Sequence, residues 1–142
     1  MKYNFKLTPT GKAVAEWALT NYKAEKAMYE REKQELIRIP ISKYEMIPMN
    51  GNPQRTTENL AIDIITVPYL QRMEMSITAV ERTLQECDDI DRKLVDHVYF
   101  RKDKNVEGAG LEAHLSRAAT YKRINAILAC VAFMLGYVRI EK

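Results

Sequence analysis

Between Leu60 and Cys87, the residues Leu60, Ile64, Val67, Leu70, Met73, Ile77, Val80, Leu84 and Cys87 recur at intervals of 4, 3, 3, 3, 4, 3, 4 and 3. A half-buried strand needs an apolar side chain at every second position. This spacing instead returns them to one face of a helix and lies close to the heptad of a coiled-coil seam. Pro68 falls inside the run. It has no N–H to continue a helical ladder, so the segment either kinks there or consists of two helices joined at Val67-Pro68. A stripe this long needs an apolar surface to cover it, inside the chain or on a second copy. Leu60, Ile64, Val67, Leu70, Met73, Ile77, Val80 and Leu84 are therefore candidate oligomerisation residues, with a homo-oligomer, and a dimer first, as the expected state.

The rest of the chain is also free of frequent breakers. Five glycines and five prolines in 142 residues favour long elements over a turn-rich β fold. A first helix should open at Thr8-Pro9-Thr10, because threonine caps and proline is tolerated at the first helical position. Nothing interrupts it before about Arg38. Val14, Trp17, Ala24 and Met28 give it a thin apolar stripe, and Lys23, Glu25, Lys26, Glu30, Arg31, Glu32, Lys33 and Glu35 surround its second half with i,i+4 charge pairs. Ile39-Pro40 ends it, Met49-Asn50-Gly51-Asn52-Pro53 is loop chemistry, and residues 40–56 read as a connection. Thr56-Thr57-Glu58 supplies a cap and an early acid for the next helix.

A third helix begins at Cys87-Asp88-Asp89-Ile90-Asp91, with its acids at the positive end of the helix dipole. Ile90, Leu94, Val95, Val98 and Tyr99 form its inner face. Arg101-Lys102-Asp103-Lys104 closes it with cations suited to a helix C-terminus, and equally to a phosphate backbone. Asn105 can cap a short helix from Val106 to about His114, in which Gly108 and Gly110 make sense if another helix crosses closely. Leu115 is then the turn residue and Ser116 the cap of a last helix. Thr120, Ile124, Ile127, Leu128, Val131 and Leu135 point inward on it, and Gly136 stops it. The expected fold is all-α: long N-terminal and central helices with coiled-coil-like pairing in residues 1–87, then a helix-turn-helix in 88–142.

The face of the last helix opposite its core side carries Arg117, Ala118, Tyr121, Lys122 and Asn125, all within its first turns. A helix entering the major groove reads base edges from that position. Arginine can pair bidentately with guanine and asparagine with adenine, and tyrosine can meet a base edge, sugar or phosphate. Ser116 fixes the start of this helix, while Arg123 on its flank, Lys102 and Lys104 suit phosphates. The chain's net charge is only +3, but from Arg101 onward eight cations face four acids, so the preceding residues sum to −1. Basic charge thus gathers where the helix-turn-helix pattern lies. Spacing alone is met equally by the solvated face of a helical bundle.

Other classes of function find little support. The chain has no Gly-rich phosphate loop, no nucleophile elbow and no HExxH helix, so no enzyme activity and no cofactor are expected. Asp96-His97 is the one adjacent acid–imidazole pair, and neighbours in sequence do not face each other on a helix, so His97 reads as a surface residue. Cys87 and Cys130 read as buried free thiols. A zinc set drawn from Cys87, His97, His114 and Cys130 lacks any short ligand pair, so no metal is expected. No stretch approaches the roughly eighteen apolar residues of a membrane span, and no signal-peptide core opens the sequence. The expected location is cytoplasmic, with no membrane partner.

Several stretches resemble the phage and mobile-element transcriptional regulators of the RinA/ArpU type. They are Pro68-Tyr69-Leu70-Gln71-Arg72-Met73-Glu74 through Ala79-Val80-Glu81, Asp91-Arg92-Lys93-Leu94-Val95-Asp96-His97-Val98-Tyr99-Phe100, Glu107-Gly108-Ala109, and above all His114-Leu115-Ser116-Arg117-Ala118-Ala119-Thr120-Tyr121-Lys122-Arg123. About the last seventy-five residues carry the resemblance, and the rest matches in layout. Two positions depart from the usual pattern: Gly110 stands where a larger helix former is common, and Ala119-Thr120 replaces a hydroxyl–aromatic pair. The resemblance implies a C-terminal unit similar to region four of primary sigma factors. It further implies a sequence-specific double-stranded DNA-binding activator of phage or prophage late genes, or of a host autolysin-related operon, in a bacterial host cell; RNA polymerase is a candidate partner. A small-terminase-like packaging adaptor, or a helical interaction protein without DNA, would share the same layout.

Overall fold

The computed structural model describes residues 5–38 and 68–140, and these are mostly helical. A short strand β1 (Phe5–Leu7) leads into α1 (Pro9–Thr20) and α2 (Tyr22–Arg38). Then follow α3 (Pro68–Glu86), α4 (Asp89–Val95) with its π-helical continuation Asp96–Phe100, α5 (Val106–Glu112), α6 (Arg117–Met134) and the strand β2 (Val138–Ile140). The expected 40–56 connection and the Thr56-Thr57-Glu58 cap lie outside the described residues, as do Leu60, Ile64 and Val67 of the stripe.

The chain divides into two compact units. One holds the described residues up to Lys23 and those from Ser76 onward; the other runs from Ala24 to Met75. The boundary expected after residue 87 is therefore not where the contacts divide the chain. The reason is α1, which packs along α6 in the most extensive helix pairing among the described residues. The N-terminal helix is part of the C-terminal core.

The surfaces that make this pairing are small. Ala15, Ala18 and Leu19 of α1 are buried with Ile124, Ile127, Leu128, Val131 and Ala132 of α6. Alanines let helix axes approach closely, so the buried face of α1 is rotated away from the expected Val14–Trp17 stripe. Trp17 is left half exposed, and Met28 on α2 is also exposed. Ala79 and Val80 of α3 and Leu94, Val95 and Tyr99 from α4 and its continuation complete the core, with Leu84, Ile90 and Val98 partly buried against it. The inner faces expected for α4 and α6 are the ones observed.

Capping chemistry sets the ends. Thr8 Oγ1 accepts from the Gly11 N–H at 3.0 Å and Pro9 occupies the first helical position, as expected for this opening. The run to Arg38 is not one helix, however. Asn21 leaves helical geometry (φ −99°, ψ 4°), and both its backbone N–H (3.0 Å) and its side-chain amide (2.9 Å) donate to the Trp17 carbonyl. An asparagine side chain that bonds the local backbone competes with the ladder, which is how a break arises without Gly or Pro. Pro68, predicted as a kink or joint, is the first described residue of α3, and Val67 on the other side of that joint lies outside the described residues.

At the far end Gly136 takes φ 82°, the left-handed conformation that glycine adopts without a Cβ penalty. The Tyr137 N–H reaches the Ala132 carbonyl at 2.8 Å, and the Gly136 N–H reaches that of Phe133 at 3.0 Å. This Schellman pair satisfies carbonyls that the end of α6 leaves open. It turns the chain back so that β2 pairs antiparallel with β1, Leu7 opposite Val138 and Phe5 opposite Ile140. The small sheet was not expected, because three-residue strands leave no alternation long enough to read. Within the Ala24–Met75 unit, Leu70 and Met73 are buried, and Tyr29 lies close enough to Glu74 for that carboxylate to help raise its pKa, after burial.

Candidate nucleic-acid interface

Helices α5 and α6 are joined by the four residues Ala113–Ser116, and every step of the junction has a local cause. Asn105 caps α5, its Oδ1 accepting from the Gly108 N–H at 2.8 Å. The helix ends at Glu112 rather than at His114, because His114 adopts φ 59°. From there the Leu115 N–H reaches the Gly110 carbonyl at 2.9 Å and the His114 N–H reaches that of Leu111 at 3.1 Å. This is the same Schellman arrangement that closes α6, built here on a residue with a Cβ. Ser116 then caps α6 as expected, its Oγ accepting from the Ala119 N–H at 3.1 Å. Thr120 is buried and donates its hydroxyl to the Ser116 carbonyl at 2.8 Å.

With Thr120, Ile124, Ile127, Leu128 and Val131 turned inward, Arg117, Ala118, Tyr121, Lys122 and Asn125 are left together on one exposed stripe. Helical periodicity alone requires this grouping once the buried set is known. Arg117 is open to solvent, with 77% of its side chain exposed. Its Nε lies 3.2 Å from Glu107 Oε1 on α5, and its guanidinium sits 5.8 Å from the centroid of the Tyr121 ring. The Tyr121 hydroxyl donates to the same Glu107 oxygen at 3.5 Å. Nothing in the sequence marks Glu107 as a site residue. A single acid in a first helical turn reads as dipole complementarity, and only the packing of α5 on α6 brings it beside Arg117 on the exposed stripe.

Three of the other cations are placed differently. Arg123 turns away from the stripe, its Nη1 donating to Asp88 Oδ2 and Asp91 Oδ1, each at 3.0 Å. It fastens α6 to the N-terminus of α4, where it was expected to meet phosphate. The acids of the Asp88 cap and the flank of α6 are far apart in sequence, so their pairing is a tertiary event. The Asp91 backbone N–H, and then Arg123, hold the Asp88 carboxyl below the usual carboxylate range. Lys104 pairs with Glu112. Lys102 is exposed but sits in the left-handed turn (φ 58°) that ends the π-helical segment.

His97 departs from the surface reading too. Only 17% of its side chain is exposed; Nδ1 lies 2.9 Å from Asp103 Oδ1, and Nε2 lies 3.5 Å from Glu112 Oε2. Asp96, its neighbour in sequence, pairs with Arg101 instead, at 2.8 Å. The imidazole thus links the π-helical continuation of α4 to α5, and its hydrogen bond holds the Asp103 carboxyl below its ordinary range. Cys130 is buried with Sγ 3.5 Å from the Thr83 hydroxyl, and burial pushes the Cys87 thiol up to about 11.

The candidate oligomerisation residues that fall within the described chain are largely covered by it. Leu70 and Met73 are buried in their unit, while Ile77 and Val80 are buried and Leu84 is partly buried in the other. These side chains are already used for packing inside one molecule. No helix among the described residues is long and apolar enough to cross a membrane. No protein-family model, curated protein or solved structure matches this chain.

Proposed function

We propose that the chain is a sequence-specific double-stranded DNA-binding regulator in which α5 and α6 act as a helix-turn-helix and α6 is the recognition helix. The observation that carries this reading is the stripe Arg117–Ala118–Tyr121–Lys122–Asn125 on the first turns of a helix whose other side is core. A groove-reading helix needs its N-terminal turns polar, exposed and rigidly mounted, and the Ser116 cap and the α5 packing meet that need. Donor groups on the stripe match the major-groove edges of guanine and adenine. The excess of cations from Arg101 onward supplies the sequence-independent attraction that any duplex binder requires. The resemblance of the motifs around Tyr99 and Ser116 to RinA/ArpU-type regulators extends the reading to activation of phage or prophage late genes.

Gel shifts with duplex from the chain's own upstream region, across a salt series, test the proposal. The affinity should fall linearly on a log–log plot as phosphate contacts release counterions. Duplex binding that is absent at low salt, or that does not respond to salt, rejects it.

A further inference from the structure

The cluster of Glu107, Arg117 and Tyr121 is not what a surface built only for phosphate would contain. Glu107 lies against the lead cation of the stripe, where its charge weakens attraction to any polyanion. Its presence needs a reason other than affinity, and the geometry offers one.

We propose that Glu107 is a positioning residue that presents Arg117 to a guanine in the major groove, which rests on reading this face as a DNA interface. Arg117 approaches Glu107 through Nε, at 3.2 Å. That contact engages the inner nitrogen of the guanidinium. The two terminal amino groups lie outside that contact, on a side chain that is 77% exposed. An arginine reads guanine with a pair of donors directed at O6 and N7, so a carboxylate holding Nε orients the fork without occupying all of it. The Tyr121 ring, 5.8 Å from the guanidinium, limits it from a second side, and its hydroxyl donates to the same Glu107 oxygen.

The mount is rigid as well. Glu107 is held on α5, and α5 packs so closely on α6 that no β-carbon would fit between Gly110 and Thr120. Rotamer freedom that a lone surface arginine would lose on binding is already reduced in the free protein. A lysine at 117 could satisfy a phosphate but could not use this arrangement, because it lacks both the Nε contact and the planar fork.

The test uses the full chain and a library of random duplexes, followed by affinities for the selected site and for the same site with its guanine replaced. The wild type should prefer the guanine site by about tenfold or more, and Arg117→Ala should abolish that preference. Glu107→Ala should reduce it to about threefold or less while tightening binding to all duplexes. Glu107→Gln keeps an acceptor oxygen in place, so it should retain the preference while also tightening binding in general. A merely structural role for Glu107 would not separate these two variants. Full guanine preference in Glu107→Ala overturns the proposal, and so does an unchanged preference in Arg117→Ala. A wild type that binds no duplex overturns the reading of the face itself, and the guanine assignment with it.

Discussion

Gly110 of α5 and Thr120 of α6 meet with no room for a β-carbon between them. One built on Gly110 would lie 2.7 Å from Thr120 Cγ2 and 2.9 Å from Thr120 Cβ, and closer still to its hydroxyl oxygen. In the fold the two residues are two sides of one contact. A small residue on one helix admits a branched one on the other, and the crossing that results sets the position of the exposed stripe.

Gly110→Ala should therefore be destabilising, although alanine is the better helix former. Overpacking of this kind costs about 1–3 kcal/mol, against a propensity gain of about 1 kcal/mol. Urea denaturation should show a net loss. The added change Thr120→Ala should recover part of it in a double-mutant cycle, whereas purely additive effects would mean the two residues are not in contact.

His114 closes α5 at φ 59° with the geometry that Gly136 uses to close α6. A residue with a Cβ is strained there by about 1 kcal/mol. His114→Gly should stabilise the protein by up to about that amount in thermal or chemical denaturation, less some added entropy of the unfolded chain. A clear loss of stability would show that the imidazole makes a contact worth more than the strain.

Arg123 makes a prediction that separates scaffold from interface. The Asp88 carboxyl is held below its usual range, so its contribution to stability is complete above the ordinary carboxylate range. That contribution disappears as pH falls through the depressed value. The gap in stability between wild type and Arg123→Ala should thus be larger at neutral pH than in acid, as read by denaturation at a series of pH values. Part of the pH dependence should survive in the mutant, because the Asp91 N–H still binds the carboxylate.

Arg117→Ala and Lys122→Ala should leave the circular dichroism spectrum and melting temperature nearly unchanged, since both side chains are exposed. Their effects on DNA should differ in kind. Arg117→Ala should cost about 1–3 kcal/mol at a specific site and relax its sequence, while Lys122→Ala should weaken all duplexes and lower the salt slope by about one. Gel shifts that are unaffected by both changes would remove α6 from consideration as the recognition helix.

Cys87, with its thiol pushed up to about 11 chiefly by burial and then by the nearby Asp91 carboxylate, should be a poor nucleophile. At pH 8, alkylation of the folded protein followed by mass spectrometry should be roughly a hundredfold slower than in denaturant. Rapid labelling would indicate that the junction between α3 and α4 opens readily.

Local chemistry in the sequence was enough to place the helix starts at Thr8, Asn105 and Ser116, because a cap bonds its own helix within three residues, and the acids from Asp88 to Asp91 placed the start of α4 through the helix dipole. Periodicity was enough to place the inner faces of α4 and α6, and the exposed stripe follows from them, because a helix turns at a constant angle per residue. The breaks at Asn21 and His114 were not legible in the same way: neither residue is a Gly or Pro, and each adopts its geometry through bonds to carbonyls several residues earlier. The joining of α1 to the C-terminal core, the antiparallel pairing of β1 with β2, and the commitment of Arg123 to Asp88 and Asp91 belong to the tertiary structure alone. So does the arrival of Glu107 beside Arg117. Each brings together groups on different elements, and a linear pattern carries the chemistry of such groups but not the distance between them.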